Sequence, residues 1–484
     1  MSNTIKTMVA TVLLIGASLG RAQTNYCVAP ANTGDYPPYT NWAMAATNIQ
    51  DVINRSLAGD TIYLTNGHYY LTGEVVVATV VTIKSYNCGT VDPANTIVDG
   101  NNYAGKPVTN RCLNITNTAT IDGLTLTNGL ISSGSVGGGF YQSGAGVVLL
   151  TNCIITGNRV TNTTYSSAGG IYAQAAIIAN CQIVRNRAQG WGGGVVLTGT
   201  NNTIKDSVVG WNFSSGTGGG LVLSAMSTGK GISLAYNCTF VSNDCNGGSV
   251  IFFYNIVNAV VSNCVIRGNT NGSAINPHGD TGKSNIVVNC QIIGNYGYPG
   301  IGTVITPVGD IVRWQVFRNC LIASNVSQAV GVMYVPANAT GTVENCTIVN
   351  NEGWNVGGIY AQNTATGGLY VCNTIIVSNR SITSEKDLHF AQAEATNRFF
   401  NSCCPSTNLP PTQGNIPSNP LLAGFSAGNY RLSANSPCIN AGLHRYWMTN
   451  AIDLDGNRRI DQLNGRVDMG AYEFIHTITL ISGH

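Results

Sequence analysis

The sequence places two carboxylates and two cations at matched positions of neighbouring repeats, and these are the residues that could act together chemically. Asp280 and Asp310 each lie ten residues before a repeated Cys position, and Lys283 and Arg313 lie seven before it. If the repeats stack in phase, the two carboxylates lie about 4.8 Å apart. Such a pair can hold Ca²⁺ or share a proton, and a nearby cation can favour a ligand carboxylate or abstract a proton. These four residues are the candidate catalytic site.

A second interpretation of the four residues is a surface ion-pair ladder in solvent, which would contribute little energy. Carboxylates are scarce in the repeat region, and this scarcity weighs against acid–base catalysis. Residues 123–380 contain six of them, at Asp206, Asp244, Asp280, Asp310, Glu344 and Glu352. No cofactor motif is evident, and Ca²⁺ is the only metal left open. The stretch 453–457 superficially resembles a calcium loop, but it lacks the EF-hand spacing and is interpreted as a structural turn.

The candidate residues belong to a repeat of about 28 residues. Its motif is Asn-Cys-x-apolar-x-x-Asn, with seven clear copies and two degenerate ones. The Cys positions are Cys153, Cys181, Cys238, Cys264, Cys290, Cys320 and Cys346, with Ser207 and Thr374 in the degenerate copies. The second Asn is present in all nine copies, as Asn158, Asn186, Asn212, Asn243, Asn269, Asn295, Asn325, Asn351 and Asn379. Gly-rich turns and short apolar segments follow most copies, so each repeat is predicted to be strand, turn, strand, turn.

Recurrence of the same residue type at the same phase predicts stacked coils. The repeat is too short for a propeller blade, and in stacked coils each position becomes a ladder with about 4.8 Å spacing. Asn tolerates the left-handed backbone of a sharp turn, and stacked amides can bond one another. The recurring Cys residues are predicted to be small buried hydrophobes that point inward. The sequence therefore predicts an all-β parallel β-helix of ten or more coils.

Composition and charge restrict the function classes. Charged residues are 9% of 484, while Gly (58) and Asn (56) are abundant, which argues against a helical protein. Without residues 1–22 the chain has 21 basic and 21 acidic residues and no Lys/Arg-rich run, which argues against nucleic-acid binding. Residues 1–22 have the pattern of an export signal peptide. We therefore expect an exported protein in the extracellular space, at the cell surface or in the periplasm, with no membrane span.

Four segments are predicted. Residues 1–22 are the signal peptide, 23–115 an N-terminal cap with the first coils, 116–384 the β-helix repeats, and 385–484 a C-terminal capping or anchor-like module. The apolar spacing within residues 42–58 predicts a short amphipathic helix over the first coil. A solenoid needs such caps because each end exposes an unpaired strand edge.

Both ends of the mature chain resemble a known group. The residues at the start are Asn48-Ile49-Gln50-Asp51, Ala58-Gly59-Asp60-Thr61-Ile62, Gly67-His68-Tyr69, Thr96-Ile97-Val98-Asp99-Gly100 and Ile121-Asp122-Gly123. Those at the end are Asn419-Pro420-Leu421, Asn429-Tyr430-Arg431-Leu432, Ser436-Pro437-Cys438-Ile439-Asn440-Ala441-Gly442, Asp453-Leu454-Asp455-Gly456-Asn457-Arg458 and Asp468-Met469-Gly470-Ala471-Tyr472-Glu473-Phe474. The start resembles bacterial right-handed parallel β-helix proteins of the pectin-lyase-like superfamily. The end resembles the terminal module of choice-of-anchor Q proteins. The resemblance implies a right-handed coil and says little about activity.

Two functions follow as expectations. The first is a monomeric, non-catalytic exported protein whose elongated surface binds a polysaccharide or cell-surface glycan. Nine aromatic residues near turns could stack on sugar rings or pack over loop bases, namely Tyr141, Tyr165, Trp191, Trp211, Tyr254, Tyr296, Tyr298, Trp314 and Trp354. The alternative is a polysaccharide lyase or glycoside hydrolase. That alternative requires Asp280, Asp310, Lys283 and Arg313 to meet in a groove.

Overall fold

The computed structural model describes fourteen stretches of the chain. They are residues 22–87, 89–102, 109–132, 136–161, 168–224, 231–254, 258–278, 284–297, 315–335, 340–362, 368–382, 387–391, 398–462 and 464–475. The predicted signal peptide therefore lies outside the described residues, apart from its last position. Most of the described chain forms a parallel β-solenoid of about nine regular turns.

Sheet 1 is the longest ladder and has fourteen strands. They are Asn25–Val28, Thr61–Thr65, Val81–Tyr86, Ala119–Asp122, Val148–Thr151, Ala176–Ala179, Thr203–Lys205, Ser233–Tyr236, Asn258–Ser262, Ser284–Val288, Gln315–Arg318, Thr340–Glu344, Gly368–Cys372 and Phe399–Phe400. Nine of these strands, from Val148–Thr151 to Gly368–Cys372, directly precede the nine sequence repeats. The regular part is thus slightly shorter than the ten or more coils expected, and flanking strands extend the sheet at both ends.

Sheet 2 follows the Asn-Cys turn of each coil and has twelve strands. They are Gly67–Tyr70, Thr96–Asp99, Thr125–Thr127, Ile154–Thr156, Gln182–Val184, Val208–Gly210, Thr239–Val241, Val265–Arg267, Gln291–Ile293, Leu321–Ala323, Thr347–Val349 and Ile375–Val377. Every described pairing in sheets 1 and 2 is parallel and in register, so that Ile155 pairs with Ile183 and Ile183 with Val209. The predicted stacking in phase is confirmed.

Two further ladders close each coil. Sheet 3 has eight strands, at Val75–Val77, Leu113–Ile115, Phe140–Gln142, Ile171–Ala173, Val195–Leu197, Leu221–Ser224, Ser249–Tyr254 and Ser273–His278. A three-stranded sheet later in the chain has Met333–Val335, Ile359–Ala361 and Leu388–Phe390. We call the second of these ladders the short ladder, and it lies between sheets 2 and 3 along the chain. Its first part has five strands, at Leu130–Ile131, Arg159–Val160, Arg187–Ala188, Phe213–Ser214 and Asp244–Cys245. Its second part is the pair Glu352–Gly353 and Arg380–Ser381. Single bridges at Thr270, Tyr296 and Val326 connect its two parts.

The core of the solenoid is built from identical side-chain positions of successive coils. The central residue of each sheet 2 strand points inward, and Ile155, Ile183 and Val209 are fully buried there. The repeated Cys residues are also buried, which confirms their predicted inward position. The Cys153 and Cys264 thiols each donate to the carbonyl oxygen two residues earlier, at 3.1 and 3.2 Å. Burial raises the pKa of Cys153 and Cys320, so these thiols stay protonated.

The second Asn of the repeat forms a continuous buried ladder of amides. The Asn186 side chain donates from Nδ2 to Oδ1 of Asn212 at 3.1 Å and to the carbonyl of Ile155 at 2.9 Å. Asn212 donates in the same way to Asn243, at 3.0 Å. The pattern runs from Asn158 to Asn379, which donates to the buried carboxylate of Asp387. Each amide therefore fixes one turn and links two neighbouring coils.

The predicted N-terminal helix is much shorter in the structure. The only α-helix among the described residues is Ile49–Ile53, five residues long, and a 3-10 turn precedes it at Trp42–Met44. Asn48 is extended and caps the helix by accepting from the Gln50 amide, so the helix cannot start earlier. A single helical turn does not constitute the amphipathic helical cap predicted over residues 42–58.

The C-terminal segment packs along the side of the solenoid. It contains an antiparallel pair, Leu422–Gly424 with Asn429–Leu432, and 3-10 turns at Pro411–Gln413, Phe425–Ala427 and Tyr446–Asn450. Tyr430, Ala471 and Tyr472 pack on Leu321 and Val349, which lie on the outer face of sheet 2. We call residues 419–474 the C-terminal module. It covers the flank of the last coils, a position that the sequence did not predict.

In three copies of the repeat, the side chain of the first Asn of the motif hydrogen-bonds to the C-terminal module. Asn319 donates to the Ile452 carbonyl at 2.8 Å, Asn345 to that of Asp468 at 3.1 Å, and Asn373 to that of Leu443 at 2.8 Å. Inside the module the buried guanidinium of Arg459 lies 2.9 Å from a carboxyl oxygen of Glu473. Arg459 also donates to Oδ1 of Asn319 at 3.3 Å. The module and the last coils thus share one polar interface.

Candidate functional site

The four residues predicted as the catalytic site lie outside the described residues. This holds for Asp280, Lys283, Asp310 and Arg313, and their grouping stays a prediction. The strands that come next in the chain are described. Strands Ser284–Val288 and Gln315–Arg318 are adjacent in sheet 1, with Val288 opposite Arg318. The strands that follow the two halves of the predicted site are therefore neighbours.

A different cluster stands out within the described part of the chain. We define the arginine face as Arg159, Arg185, Arg187, Trp211 and Phe213, which lie on and beside the short ladder. Arg159 pairs in register with Arg187, and Arg187 with Phe213, so the three form one outward column on adjacent coils. The Arg187 guanidinium carbon lies 3.9 Å from the Phe213 ring centroid, and that of Arg185 lies 5.7 Å from the Trp211 centroid. Cation–π contact of this kind orients the guanidinium groups.

The Asn ladder fixes the backbone of the arginine face. Asn186 lies between Arg185 and Arg187 and is buried, while both arginines are exposed. Arg185 and Trp211 have left-handed backbones with φ of 57° and 55°. The equivalent position in other coils carries Gly157, Ser242, Gly268, Gly294, Ser324, Asn350 or Ser378, also at positive φ. Bulky side chains are unfavourable there, so Arg185 and Trp211 are local exceptions of the kind that mark functional surfaces.

The arginines of the arginine face come from a stretch of sequence without carboxylates. Residues 123–205 contain four basic residues and no Asp or Glu. Within the described stretches, none of Arg159, Arg185 and Arg187 forms an ion pair, and all three are exposed. Later in the same column Arg380 is paired with Glu352 at 2.6 Å. The arginine face is therefore a local concentration of uncompensated positive charge, although the whole chain is close to neutral.

The aromatic residues named from the sequence divide into two groups. Trp211 and Trp354 are about half exposed, and Tyr296 is exposed on the short ladder. Trp191 instead packs edge-on against Phe252 and Tyr254, with centroids 5.4 and 5.0 Å apart. Tyr141 packs on Tyr172 with 5.6 Å between centroids. Tyr165, Tyr298 and Trp314 lie outside the described residues.

A histidine–aspartate pair lies near the N-terminal end of sheet 2. His68 Nε2 is 2.6 Å from Oδ2 of the buried Asp99, and the imidazole stacks on Tyr70 with 4.0 Å between centroids. Asn128 also donates to Asp99, at 3.0 Å. Asp99 aligns with Thr127 on the next coil, before the coil that carries Arg159 is reached. The pair therefore lies two coils before the first residue of the arginine face and is not part of that cluster.

The stretch resembling a calcium loop is a structural turn, as predicted. Asp453 accepts from the amides of Asp455, Asn457 and Glu473, at 2.9, 2.7 and 2.7 Å. Asp455 is paired with Arg431. The described residues contain no group of three or more His, Cys, Asp or Glu side chains suited to holding a metal ion. No helix in the described part of the chain is long and apolar enough to cross a membrane.

The arginine face was not predicted from the sequence, because the repeats were searched for carboxylates that could act in catalysis and not for unpaired arginines. The signal was present in the sequence, because Arg159, Arg185 and Arg187 lie in the stretch 123–205, which contains no Asp or Glu. The repeat frame also places Arg159 and Arg187 at one position of successive coils, one residue after the second Asn. Alignment of basic residues in that frame would have found the column.

The comparisons with known proteins agree on the architecture. Residues 193–382 match the model of a right handed beta helix region, which covers less than half of the chain. No curated protein matches the sequence. The solved PL6 family alginate lyase AlyGC has 12% identity and a TM-score of 0.52 over 86% of this chain, which spans 57% of that lyase. Pectate lyase Pel9A has 16% identity and a TM-score of 0.40, over 94% of this chain and 97% of that one.

A glycoside hydrolase has a comparable similarity. The catalytic domain of a GH87 alpha-1,3-glucanase has 12% identity and a TM-score of 0.46, over 79% of this chain and 68% of that one. At these identities the similarity shows the class of fold alone, a right-handed parallel β-helix. The comparisons provide no support for the anchor-type resemblance of the C-terminal module.

Proposed function

We propose that this protein is a carbohydrate-active β-helix protein that binds an anionic polysaccharide along the arginine face. The observation that carries the proposal is the column of Arg159 and Arg187, with Arg185 beside it, in a stretch without carboxylates. Guanidinium groups recognise carboxylate and sulfate-type anions through paired hydrogen bonds, and exposed aromatic rings contact sugar faces. A polymer whose charges repeat along its length matches cations that repeat along the solenoid.

The energetics favour a polymer over a single small anion. An exposed ion pair contributes about 0.2–1 kcal/mol, so three arginines contribute at most about 3 kcal/mol. A contact of that size gives affinity in the millimolar range or weaker. Several linked sugars that contact neighbouring coils act together and raise the effective affinity without new chemistry. Binding should therefore depend on chain length.

The enzymatic alternative receives more support than a purely non-catalytic surface. Several proteins of similar fold are polysaccharide lyases or a glucanase by name. Strand Ser284–Val288 follows Asp280 and Lys283 in the chain, and it is adjacent to strand Gln315–Arg318, which follows Asp310 and Arg313. In this version the arginine face holds the polymer and the four predicted residues perform the acid–base chemistry. Export and an anchoring role of the C-terminal module are further parts of the proposal.

The test is a panel of anionic and neutral polysaccharides, measured for binding and for turnover. Binding to polyuronates or sulfated glycans, with none to neutral glucans or mannans, would support the proposal. Equal binding to both classes, or binding to neither, would refute it. Turnover is measured as unsaturated product and as new reducing ends, with Asp280→Asn combined with Asp310→Asn as the control. Product from the parent and not from that variant would establish the enzymatic version.

A further inference from the structure

Cys403 points out of the solenoid, unlike the Cys residues of the repeat. Cys403 comes one residue after the position that is equivalent to Thr374 in the preceding coil. It forms a parallel β-bridge with Ile375, whose side chain lies on the outer face of sheet 2. The side-chain direction alternates along a strand, so Cys403 faces away from the solenoid core. Its environment is the interface with the C-terminal module, where it is fully buried and donates to the Ser418 carbonyl at 3.3 Å.

Cys438 meets Cys403 from the other side of this interface. It is also fully buried, and the two residues belong to one apolar cluster with Leu432 and Met469. Interaction with the Cys438 thiol, followed by burial, raises the pKa of the Cys403 thiol. The Met469 amide donates to the Cys438 carbonyl at 3.1 Å, which ties this part of the module to its neighbouring segment.

We propose that Cys403 and Cys438 form a disulfide that fastens the C-terminal module to the flank of the solenoid. The repeated thiols offer a contrast. Residues such as Cys264 and Cys290 project in parallel from successive coils, where the strand spacing exceeds the Cβ separation that a disulfide needs. Cys403 and Cys438 come from opposing elements, the end of the solenoid and the C-terminal module, and lie in one buried apolar cluster. This geometry suits bridging and does not depend on the proposed glycan function.

Formation of the bond is an oxidation, and its balance requires an acceptor. The two thiols lose two protons and two electrons as the sulfur–sulfur bond forms. A disulfide-bearing oxidant, such as oxidised glutathione or a dithiol–disulfide oxidoreductase, takes up the electrons and protons as two thiols. Both residues are buried in the docked state, so the exchange must occur while the module is docking. The bond is expected where the chain folds under oxidising conditions.

The test is peptide mapping of full-length protein folded under oxidising conditions, alkylated without reductant and cut with trypsin. Cleavage after Arg398, Arg431 and Arg445 gives one peptide with Cys403 and Cys404 and one with Cys438. We expect these peptides to be linked, with a mass lower by two hydrogens than the sum of both, and to separate on reduction. The link should persist in Cys404→Ser and disappear in Cys403→Ser.

The repeated thiols serve as an internal control, because Cys264 and Cys290 should be alkylated only after denaturation. Alkylated Cys403 and Cys438 in the unreduced parent protein, after folding with excess oxidised glutathione, would overturn the proposal. A link that persists in Cys403→Ser and disappears in Cys404→Ser would overturn it as well. Glycan binding tests a different surface, so neither outcome depends on the result at the arginine face.

Discussion

Arg159 and Arg187 lie opposite each other on adjacent strands of the short ladder, with like charges at the spacing of neighbouring coils. Like charges at directly paired positions are unfavourable, and neither arginine has an ion-pair partner among the described residues. An arrangement that costs stability is most simply explained by a ligand that supplies the missing negative charge.

The first prediction concerns this pair. Combined Arg159→Gln and Arg187→Gln should weaken binding to an anionic polysaccharide about tenfold, because two exposed ion pairs with the ligand are lost. Raising the salt concentration should weaken binding of the parent protein in the same direction. Arg380→Gln is the matched control, since Arg380 is exposed in the same column but already paired with Glu352. Equal losses in both variants would contradict a specific role for the arginine face.

The second prediction separates stability from binding at Arg185. Its backbone φ of 57° is unfavourable for a long side chain, whereas Asn occupies the equivalent position at Asn350. Arg185→Asn should therefore raise the free energy of unfolding by about 0.5 kcal/mol and weaken anionic glycan binding severalfold. Denaturant unfolding and a binding titration of the same variant provide the two measurements. A loss of stability together with unchanged binding would show that Arg185 serves the fold.

The third prediction concerns the Asn ladder. Asn243 is fully buried; it donates to Val209 O and Asn269 Oδ1, and its Oδ1 accepts from Asn212. Asn243→Ala leaves several buried groups without partners and should lower the free energy of unfolding by about 3 kcal/mol. Asn246→Ala, at an exposed position three residues later in the same coil, is the control and should cost less than about 0.5 kcal/mol. Similar losses in the two variants would mean that the ladder is not a main source of stability.

The repeated architecture was predictable because stacking imposes the same demand on every coil. Asn158 and Asn379 occupy equivalent sites, and the backbone there requires the same side-chain amide each time. The inward Cys residues repeat for the same reason. The repeating geometry of the coils therefore appears as a repeat in the sequence. Alignment of the repeats correctly predicted that Cys290 and Cys320 lie on neighbouring coils.

Features that do not repeat were harder to predict. The contact between Asn319 and Ile452 joins residues 133 positions apart. Ile452 lies in an irregular segment that does not repeat along the chain, so no periodicity points to this contact. The helix at Ile49–Ile53 was overestimated because apolar spacing alone does not reveal that Asn48 adopts an extended backbone. The arginine face required the repeat frame to be read for cations as well as carboxylates.

The last prediction follows from the buried charge cluster of the C-terminal module. Glu473 is paired with Arg459, but Asp453 and Asp468 also lie near that single guanidinium. The Glu473 side chain is 5% exposed, and burial, opposed by Arg459 and reinforced by Asp468, raises its pKa from 4.5 to about 8. Three carboxylates share one buried cation, so the cluster is better balanced when one of them is protonated.

The pH dependence follows from this raised pKa. Between about pH 4.5 and about pH 8 the folded protein binds a proton at Glu473 that the unfolded chain does not, so stability must fall as the pH rises. The contribution is fully present below pH 4.5 and is lost as the pH rises through about 8. Glu473→Gln mimics the protonated side chain and should remove this slope. Thermal unfolding of both proteins should therefore show the parent losing stability relative to the variant as the pH rises. If the stabilities of the two proteins changed in parallel with pH, Glu473 would not be the group that binds the proton. It would then be fully ionised beside Arg459.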